Sequence, residues 1–338
     1  MRALVLDYQQ RSLAMREVPD PALNAPGDVL LRVLEVGICG TDRDLARFHF
    51  GYPPKGMPYL ILGHEALAEV IAVGSAVHTL QPGDLVAPLI RRPCPDPCVW
   101  CRSRRPDLCV TGRYTERGIM GAHGYFSQYA VDQEENLVRL PPEAATVGVL
   151  FEPLSVAEKA VDTAVQLHRG EPKTALIVGA GTIGLLCALA AQARNLNVTV
   201  FSLEDPGSNR AQLARQAGLH YTTQIQGTYD LTVEAAGSPT AFQAALEALA
   251  PLGVLVALGA ASSGQPIDTR RLILKSQIVA SSINTSPAAA RRAATHLVDF
   301  DHSVLESLIE RRQPEQAADS IFAGAGGRPK VVHPLWSV

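Results

Sequence analysis

One glycine-rich segment, ALIVGAGTIGLL, constrains the fold of this 338-residue chain more than any other feature. It places Gly179, Gly181 and Gly184 in G-x-G-x-x-G spacing, after an apolar strand and at the start of an apolar helix. The first glycine of such a segment makes a tight turn, the second admits a pyrophosphate to the backbone, and the third lets helix and strand pack. This context favours a dinucleotide-binding turn over an α/β turn without a ligand.

Apolar strands alternate with helices around this turn. Continuously apolar strands separated by helices are typical of a parallel sheet that is covered on both faces. The sequence therefore predicts an α/β domain with a Rossmann-type doubly wound sheet over residues 152–290. A helix is predicted before the turn at 152–167; beyond the turn, strands are predicted at 229–237 and 253–261 and helices at 210–217 and 241–250.

The rest of the chain has a different character. Residues 1–90 carry short Val, Leu and Ile runs between turn signals, which is typical of β-structure. Residues 91–120 are poor in aliphatic side chains and rich in Cys, Pro and Arg, so we expect a lobe held by something other than a core. The tail ends in KVVHPLWSV and is expected to return to the first domain. That domain would comprise residues 1–151 and 291–338, because a chain of this length favours two domains.

Charge and hydrophobicity argue against several classes of function. The net charge of −3 gives no general attraction for nucleic acid or for an anionic membrane. The sequence contains no run of about 18 apolar residues, which argues against a spanning helix. Its beginning, MRALVLDYQQ, lacks the apolar region and cleavage site of a signal peptide. We therefore expect a cytoplasmic protein without nucleic-acid or membrane partners.

Four cysteines form the pattern C-x3-C-x2-C-x7-C at Cys94, Cys98, Cys101 and Cys109. Four thiolates at this spacing are typical of a closed, tetrahedral structural zinc, which would fold a lobe that lacks its own core. An iron–sulfur cluster or a reducible disulfide pair are weaker alternatives. Cys187, in the helix after the glycine turn, is interpreted as a core residue.

A second group of zinc-binding residue types is spread along the chain. Cys39 lies in GICGTDRD, His64 and Glu65 in LGHEA, and Glu152 in FEPLS where the two domains join. Each alone would be unremarkable in a β-rich domain. Together, beside a dinucleotide turn, they predict a catalytic zinc with one position open for water or substrate.

The residues after the second strand of the α/β unit bear on the cofactor. An acidic ribose ligand usually ends that strand, but Ser202 stands there, with Glu204 and Asp205 just beyond. Two carboxylates would repel a 2′-phosphate, which favours NAD, whereas Ser202 with Arg210 could admit NADP. The predicted cofactor contacts are Gly179, Gly181, Thr182, Ile183, Gly184, Ser202, Glu204 and Arg210.

These motifs together resemble the zinc-dependent medium-chain dehydrogenase/reductase superfamily over nearly the whole chain. Within it, the chain is similar to glucose (aldose 1-) dehydrogenases of the archaeal type. The superfamily marks are Cys39-Gly40-Thr41-Asp42, Gly63-His64-Glu65, the four cysteines and the Gly179 turn. The narrower marks are Leu62 to Ala66, Gly112 to Ile119, Glu152 to Ser155 and Glu158-Lys159-Ala160.

The resemblance implies a GroES-like catalytic domain and assigns roles within it. Cys39 and His64 would bind the catalytic zinc, with Glu65 and Glu152 as exchangeable ligands. Thr41 would relay the substrate proton outward, through Asp44, while hydride passes from C1 of an aldose to the nicotinamide and a lactone forms. The implied sugar contacts are Glu116, Asn284 and, more loosely, His123, and the implied assembly is a homodimer or homotetramer.

The chain departs from the family pattern at two positions. Three residues separate Cys94 from Cys98 where two are usual, and Val156 stands where some members have a sugar-contacting acid. A polyol or secondary-alcohol dehydrogenase of the same superfamily therefore stays open as an alternative. A zinc-free binding protein is a further alternative, against which the retained ligand residues argue.

Simpler roles also exist for several of these residues. Thr41 could cap a helix that begins near Asp42, because Ser and Thr are preferred at that position. Asp44 could be a solvated acid in the first turn of the same helix. Glu116 and Asn284 could be surface or turn residues, and His123 could belong to an ordinary turn.

Overall fold

The computed structural model describes residues 1–259, 267–323 and 327–336. Two sheet-based halves are joined by a long helix, and the larger hydrophobic core packs around that helix while a second core lies within the first half. The α-helices are α1 (Gly40–Ala46), α2 (Val99–Arg102), α3 (Phe151–Leu167), α4 (Thr182–Gln192), α5 (Asn209–Gln216), α6 (Pro239–Glu247), α7 (Thr269–Lys275), α8 (Pro287–Asp299), α9 (His302–Ser307) and α10 (Ala317–Ala323).

The first half is built on antiparallel strands. Along its central strand, Val29, Leu31 and Val33 alternate into the core, which is the period-two pattern of a strand with one buried face. The strands are β1 (Arg2–Asp7), β2 (Ser12–Glu17), β3 (Asp28–Ile38), β4 (Tyr59–Ile61), β5 (Glu65–Val73), β6 (Leu85–Pro88), β7 (Arg91–Arg92), β8 (Thr115–Arg117), β9 (Gly121–Ala122), β10 (Tyr129–Gln133) and β11 (Leu137–Leu140).

The second half contains six parallel strands in the order β14-β13-β12-β15-β16-β17. The order reverses between β12 and β15, and ligands bind such sheets at the carboxyl ends of the strands where this reversal occurs. The glycine turn follows β12 directly, so it lies at this crevice. The strands are β12 (Thr174–Val178), β13 (Asn197–Phe201), β14 (His220–Thr222), β15 (Tyr229–Glu234), β16 (Leu249–Ala257) and β17 (Ile278–Ser281).

The C-terminal tail returns to the first half through β18 (Ile309–Arg311) and β19 (Lys330–Pro334). β19 pairs antiparallel with β3, with Val331 opposite Ile38, and completes the sheet order β11-β6-β5-β3-β19-β18. The end of the tail therefore forms part of the sheet of the first half. The final two residues of KVVHPLWSV lie outside the described residues.

Several element boundaries differ from the sequence prediction, most clearly those of α6 and β16. The helix predicted at 241–250 begins earlier, at Pro239, because the Ser238 side chain accepts a hydrogen bond from the Ala241 N–H and caps it. It also ends earlier, and β16 begins at Leu249 rather than at 253. Residues 260 and 261 of that predicted strand lie outside the described residues. Cys187 is fully buried in α4, as predicted.

No helix within the described ranges combines the length and the apolar character needed to cross a membrane.

Candidate active site

The glycine turn has the shape that a dinucleotide requires. Gly179 has φ +113°, a conformation that L side chains rarely adopt. A side chain on Gly184 would collide with the carbonyl oxygen of Gly179, so helix and strand can approach only without one. A Cβ on Gly181, by contrast, would meet nothing within 4 Å. Gly181 is also the N-cap of α4, so an open cradle faces the positive end of that helix and fits a pyrophosphate.

The residues after β13 form a small polar cluster beside this cradle. Arg210 Nη1 lies 2.6 Å from Glu204 Oε1, and the Ser202 hydroxyl accepts the Glu204 N–H at 3.3 Å. Arg210 also lines the cleft that contains the glycine turn. The arginine that could receive a 2′-phosphate is therefore already bound to a carboxylate.

Three of the four predicted ligands of the catalytic zinc converge. The ligand atoms of Cys39, His64 and Glu65 all lie within 4.8 Å of one another, and Cys39 Sγ is 2.9 Å from His64 Nε2. Thiolate, imidazole and carboxylate form a suitable donor set for zinc, and their convergence on one point fits the ion.

Cys39 is held in place by the helix that follows it. It is the N-cap of α1, and its sulfur accepts the Thr41 N–H at 3.3 Å. The prediction that Thr41 caps this helix was wrong, because α1 begins at Gly40 and the thiol of Cys39 takes the capping role. The Thr41 hydroxyl is thereby left out of the cap.

Asp42 is a site residue to which the sequence reasoning assigned no role. Its side chain is fully buried, one oxygen accepts the Cys39 N–H at 2.9 Å, and the other lies 3.4 Å from His64 Nδ1. A carboxylate behind a metal-binding histidine orients the ring and selects its tautomer. Burial by itself would lower the pKa of His64, but the neighbouring Cys39 and Asp42 raise it well above its usual value. The motif Cys-Gly-Thr-Asp indicates the local contact, because its Asp stands three residues after Cys39, but no local pattern indicates the contact with His64.

Glu65 has a second partner that sequence reasoning missed. Lys330 Nζ lies 2.6 and 2.8 Å from its two carboxylate oxygens and also donates to the Ile38 carbonyl at 3.0 Å. Burial opposes the charge of Lys330, but the nearby Glu65 and Cys39 raise its pKa above the ordinary value. No local pattern connects a lysine in the tail with position 65.

Glu152 stands in the first turn of α3 and does not belong to the 4.8 Å group. Burial, followed by the charge of Glu65, raises its pKa, so the two carboxylates influence each other. Its role as an exchangeable ligand stays a prediction. The same holds for Asp44, whose half-exposed carboxylate lies 3.8 Å from His49 Nδ1.

The structure brings two of the three predicted sugar contacts together. Asn284 Nδ2 donates to Glu116 Oε1 at 2.8 Å, and Arg91 Nε donates to the same oxygen at 2.8 Å. Among the described residues, Glu116 Oε2 has no hydrogen-bond partner. The two donors to Glu116 therefore share one of its carboxylate oxygens.

His123 is used within the fold. Its Nδ1 accepts the Ile61 N–H at 3.1 Å, and its ring stacks on Tyr59 with centroids 5.2 Å apart. Burial, followed by the charge of Arg117, lowers the pKa of His123 to about 4. This geometry gives its predicted sugar contact no support.

The four cysteines of the lobe also converge. Their sulfur atoms all lie within 4.8 Å of one another, with Cys94 and Cys101 3.7 Å apart and Cys98 and Cys109 4.0 Å apart. Thiolates at ~2.3 Å from a tetrahedral zinc lie roughly 3.8 Å from each other, so the four atoms fit that ion. The three-residue spacing after Cys94 is therefore compatible with ligation. Backbone N–H groups of Cys101 and Val110 lower the pKa of the Cys98 thiol, which favours the ligating thiolate.

A single cleft joins the catalytic ligands to the cofactor turn. Such a cleft brings a metal-bound group and a nicotinamide within reach of each other, which a hydride transfer requires. Cys39, Glu65 and Lys330 line one side, and Gly181, Thr182 and Arg210 line the other.

Two family models match the chain. One, described as the glucose dehydrogenase C-terminus, matches residues 145–334, and the other, the alcohol dehydrogenase GroES-like domain, matches residues 25–142. The chain belongs to the glucose dehydrogenase family. Membership confirms the predicted resemblance and the pairing of a GroES-like domain with a Rossmann-type sheet. The chain is therefore an oxidoreductase of CH–OH groups that uses zinc and a nicotinamide cofactor.

Relatives of known activity and structure cover most of the chain. Glucose 1-dehydrogenase of Thermoproteus tenax is 38% identical over 308 residues, 87% of this chain and 86% of that protein. Glucose 1-dehydrogenase of Halobacterium salinarum is 33% identical and covers 91% of this chain and 92% of that protein. Glucose dehydrogenase of Haloferax mediterranei, solved with NADP, Zn and gluconolactone, superposes with a TM-score of 0.90 at 28% identity, covering 100% of both chains.

Proposed function

We propose that this chain oxidises C1 of an aldose of the glucose type to the lactone, with NAD as the preferred hydride acceptor. The observation that carries this proposal is the shared cleft, in which the Cys39, His64 and Glu65 group faces the Gly179–Gly184 turn. The glucose dehydrogenases of Thermoproteus tenax and Haloferax mediterranei support the substrate class.

Cys39, His64 and Glu65, with Glu152 as an exchanging fourth ligand, would hold the catalytic zinc. When bound, the ion acts as a Lewis acid toward the substrate hydroxyl, and NAD supplies the hydride acceptor. Thr41 would take up the hydroxyl proton, which is supported by its own hydroxyl being free of the helix cap and by the contact of its backbone N–H with Cys39. Asp44 is the proposed exit of that proton, since it follows one turn later on α1 and is half exposed.

Glu116 and Asn284 are the proposed sugar contacts. A carboxylate with one oxygen left free by its protein partners can accept a hydrogen bond from a sugar hydroxyl. This arrangement favours a polyhydroxylated substrate over a simple alcohol. His123 is not proposed as a contact, since its ring is bound to Ile61 and Tyr59.

The preference for NAD rests on the pair of Glu204 and Arg210. Glu204 repels a 2′-phosphate and also holds the arginine that could neutralise one. NADP remains a usable cofactor in this proposal, because Haloferax mediterranei glucose dehydrogenase binds it in a closely similar fold.

A screen of aldoses, polyols and simple alcohols with both cofactors tests the proposal. We expect an aldose to give the highest kcat/KM and a lactone product, with about two zinc ions per chain. Glu116→Gln should reduce aldose turnover more than simple-alcohol turnover, while the exposed Glu143→Gln should change neither. A clear preference for polyols would replace the proposal by the polyol-dehydrogenase alternative. A zinc-free protein without turnover would contradict both.

We further propose that the chain is a homodimer or homotetramer in the cytoplasm. β17 is the edge strand of the six-stranded sheet, and an edge strand can pair with that of a second copy. A reducing compartment suits four metal-binding thiols. Light scattering after size-exclusion chromatography tests the assembly, since a monomer at all concentrations would contradict it.

A further inference from the structure

Lys159 is a buried charge outside the proposed catalytic residues. It lies two helical turns after Glu152 on the same face of α3, with its side chain 11% exposed. Its amine donates to the Ile283 carbonyl at 2.7 Å and lies 2.8 Å from Asp107 Oδ2. Lys159 thus connects the helix of Glu152 with two distant segments of the chain.

The contact with Ile283 bears directly on Asn284. Fixing the Ile283 carbonyl fixes the peptide plane from which the Asn284 side chain projects. Asn284 has φ +58°, an uncommon conformation for a residue with a side chain, and its Oδ1 accepts the Thr285 N–H at 2.8 Å. In this conformation its amide reaches Glu116.

The contact with Asp107 leads to the same carboxylate by a second route. Asp107 lies in the four-cysteine lobe, two residues before Cys109, and Arg105 binds both of its carboxylate oxygens at 2.8 and 2.9 Å. Its backbone carbonyl accepts a long hydrogen bond, 3.4 Å, from Arg91, whose Nε donates to Glu116. Both partners of Glu116 are therefore anchored, one through Lys159 and the other through the lobe.

We infer that Lys159 is a positioning residue for aldose recognition: it holds Asn284 in the conformation that meets Glu116 and ties that pair to the four-cysteine lobe. This inference rests on the proposed role of Glu116 and Asn284 as sugar contacts.

The neighbours of Lys159 allow its effect on the position of Asn284 to be measured without a large loss of folding stability. Without the lysine, Asp107 keeps both hydrogen bonds from Arg105, so no unpaired buried carboxylate is created. The Ile283 carbonyl belongs to a residue that is 61% exposed, so water can replace the lost donor. Lys159→Met therefore leaves a folded protein in which the 282–287 segment is less restrained.

Steady-state kinetics of Lys159→Met test the recognition step. We expect the KM for the aldose to rise ~10- to 100-fold, with a smaller change in kcat and an unchanged KM for the cofactor. Lys173→Met is the matched control, because that lysine is 75% exposed and pairs only with Glu171 among the described residues. Equal effects on aldose and cofactor would overturn the inference.

A double-mutant cycle shows whether Lys159 acts through Asn284. Once Asn284→Ala has removed the amide, adding Lys159→Met should raise the aldose KM little further. Additive effects of the two substitutions would contradict the inference.

Hydrogen exchange provides a readout that is independent of turnover. Lys159→Met should accelerate exchange in the segment 282–287, whose Thr285 N–H is bound to Asn284, and leave the zinc content unchanged. Unchanged exchange would show that Lys159 does not restrain Asn284. If the wild-type protein oxidises no aldose, the proposed function fails on that result, while hydrogen exchange still decides whether Lys159 restrains this segment.

Discussion

Lys330 Nζ lies 2.6 Å from one carboxylate oxygen of Glu65 and 2.8 Å from the other, and the two side chains are only 3% and 2% exposed. The lysine belongs to β19, which pairs with β3 directly beside Cys39. The tail therefore lines the cleft that contains Cys39 and Glu65, and Glu65 has a counter-ion with or without a metal.

Replacing Lys330 should strongly lower the free energy of unfolding of the protein from which zinc has been removed. Lys330→Met leaves Glu65 as an unpaired buried carboxylate, and loss of one partner of such a pair costs about 3–5 kcal/mol. Denaturant unfolding with zinc removed measures the loss. The double variant Lys330→Met/Glu65→Gln should recover most of it, because no buried charge is then left alone. Equal stability of wild type and Lys330→Met would show that the pair contributes little.

Thr41→Ala should lower kcat by roughly 10²–10⁴, the usual contribution of a positioned proton-transfer group. The helix should survive, because residue 41 still donates its N–H to the Cys39 sulfur. Thr41→Ser keeps a hydroxyl and should retain most of the turnover. Circular dichroism and steady-state kinetics measure both effects. Near-normal turnover of the alanine variant would refute the relay.

Cys94→Ser should remove about one zinc ion per chain, because its sulfur is one of the four that converge in the lobe. Cys187→Ala is the matched control, since that thiol is buried in α4 and belongs to neither group of converging ligand atoms. Metal analysis of the purified variants provides the measurement. A Cys94 variant with the zinc content of the wild type would mean that this cysteine is not a ligand.

Glu204→Gln should shift the cofactor preference toward NADP. The substitution removes a negative charge near the proposed 2′-phosphate position and releases Arg210 to bind it. We expect the ratio of kcat/KM for NADP to that for NAD to rise ~10-fold or more, as for a gained charge-assisted hydrogen bond. Asp230→Asn, at the opposite end of the sheet from the turn, should leave the ratio unchanged. A constant ratio in Glu204→Gln would contradict the assignment.

Glu158 should make the protein sensitive to acid. Burial opposes its ionisation, but the hydrogen bonds from His296 at 2.6 Å and Arg194 at 2.7 Å lower its pKa below the ordinary value. A depressed pKa in the folded state contributes stability above the unfolded value of ~4.3, and that stability is lost as the pH falls through the folded pKa. Glu158→Gln should therefore flatten the loss of unfolding free energy below about pH 4. The exposed Glu171→Gln should retain the slope of the wild type.

Local patterns predicted much of this protein. The glycine spacing indicated the turn after β12, and the cysteine spacing indicated the lobe, because in both cases neighbouring residues share one function. The residue types at Cys39, His64 and Glu65 were sufficient to predict a metal-binding site. The roles of Thr41 and Asn284 were assigned only by the family resemblance.

The sequence by itself determined the strand–turn–helix cofactor unit, the four-thiol lobe and the kinds of ligand available for a catalytic zinc. Only the tertiary structure decided that Lys330 neutralises Glu65, that Asp42 supports His64, and that Asn284 meets Glu116. The physical reason is the separation of the interacting residues along the chain. Turns and metal loops are specified by residues a few positions apart, whereas a buried charge finds its partner through packing. The partners Glu65 and Lys330 are 265 positions apart in the chain and meet only because β19 pairs with β3.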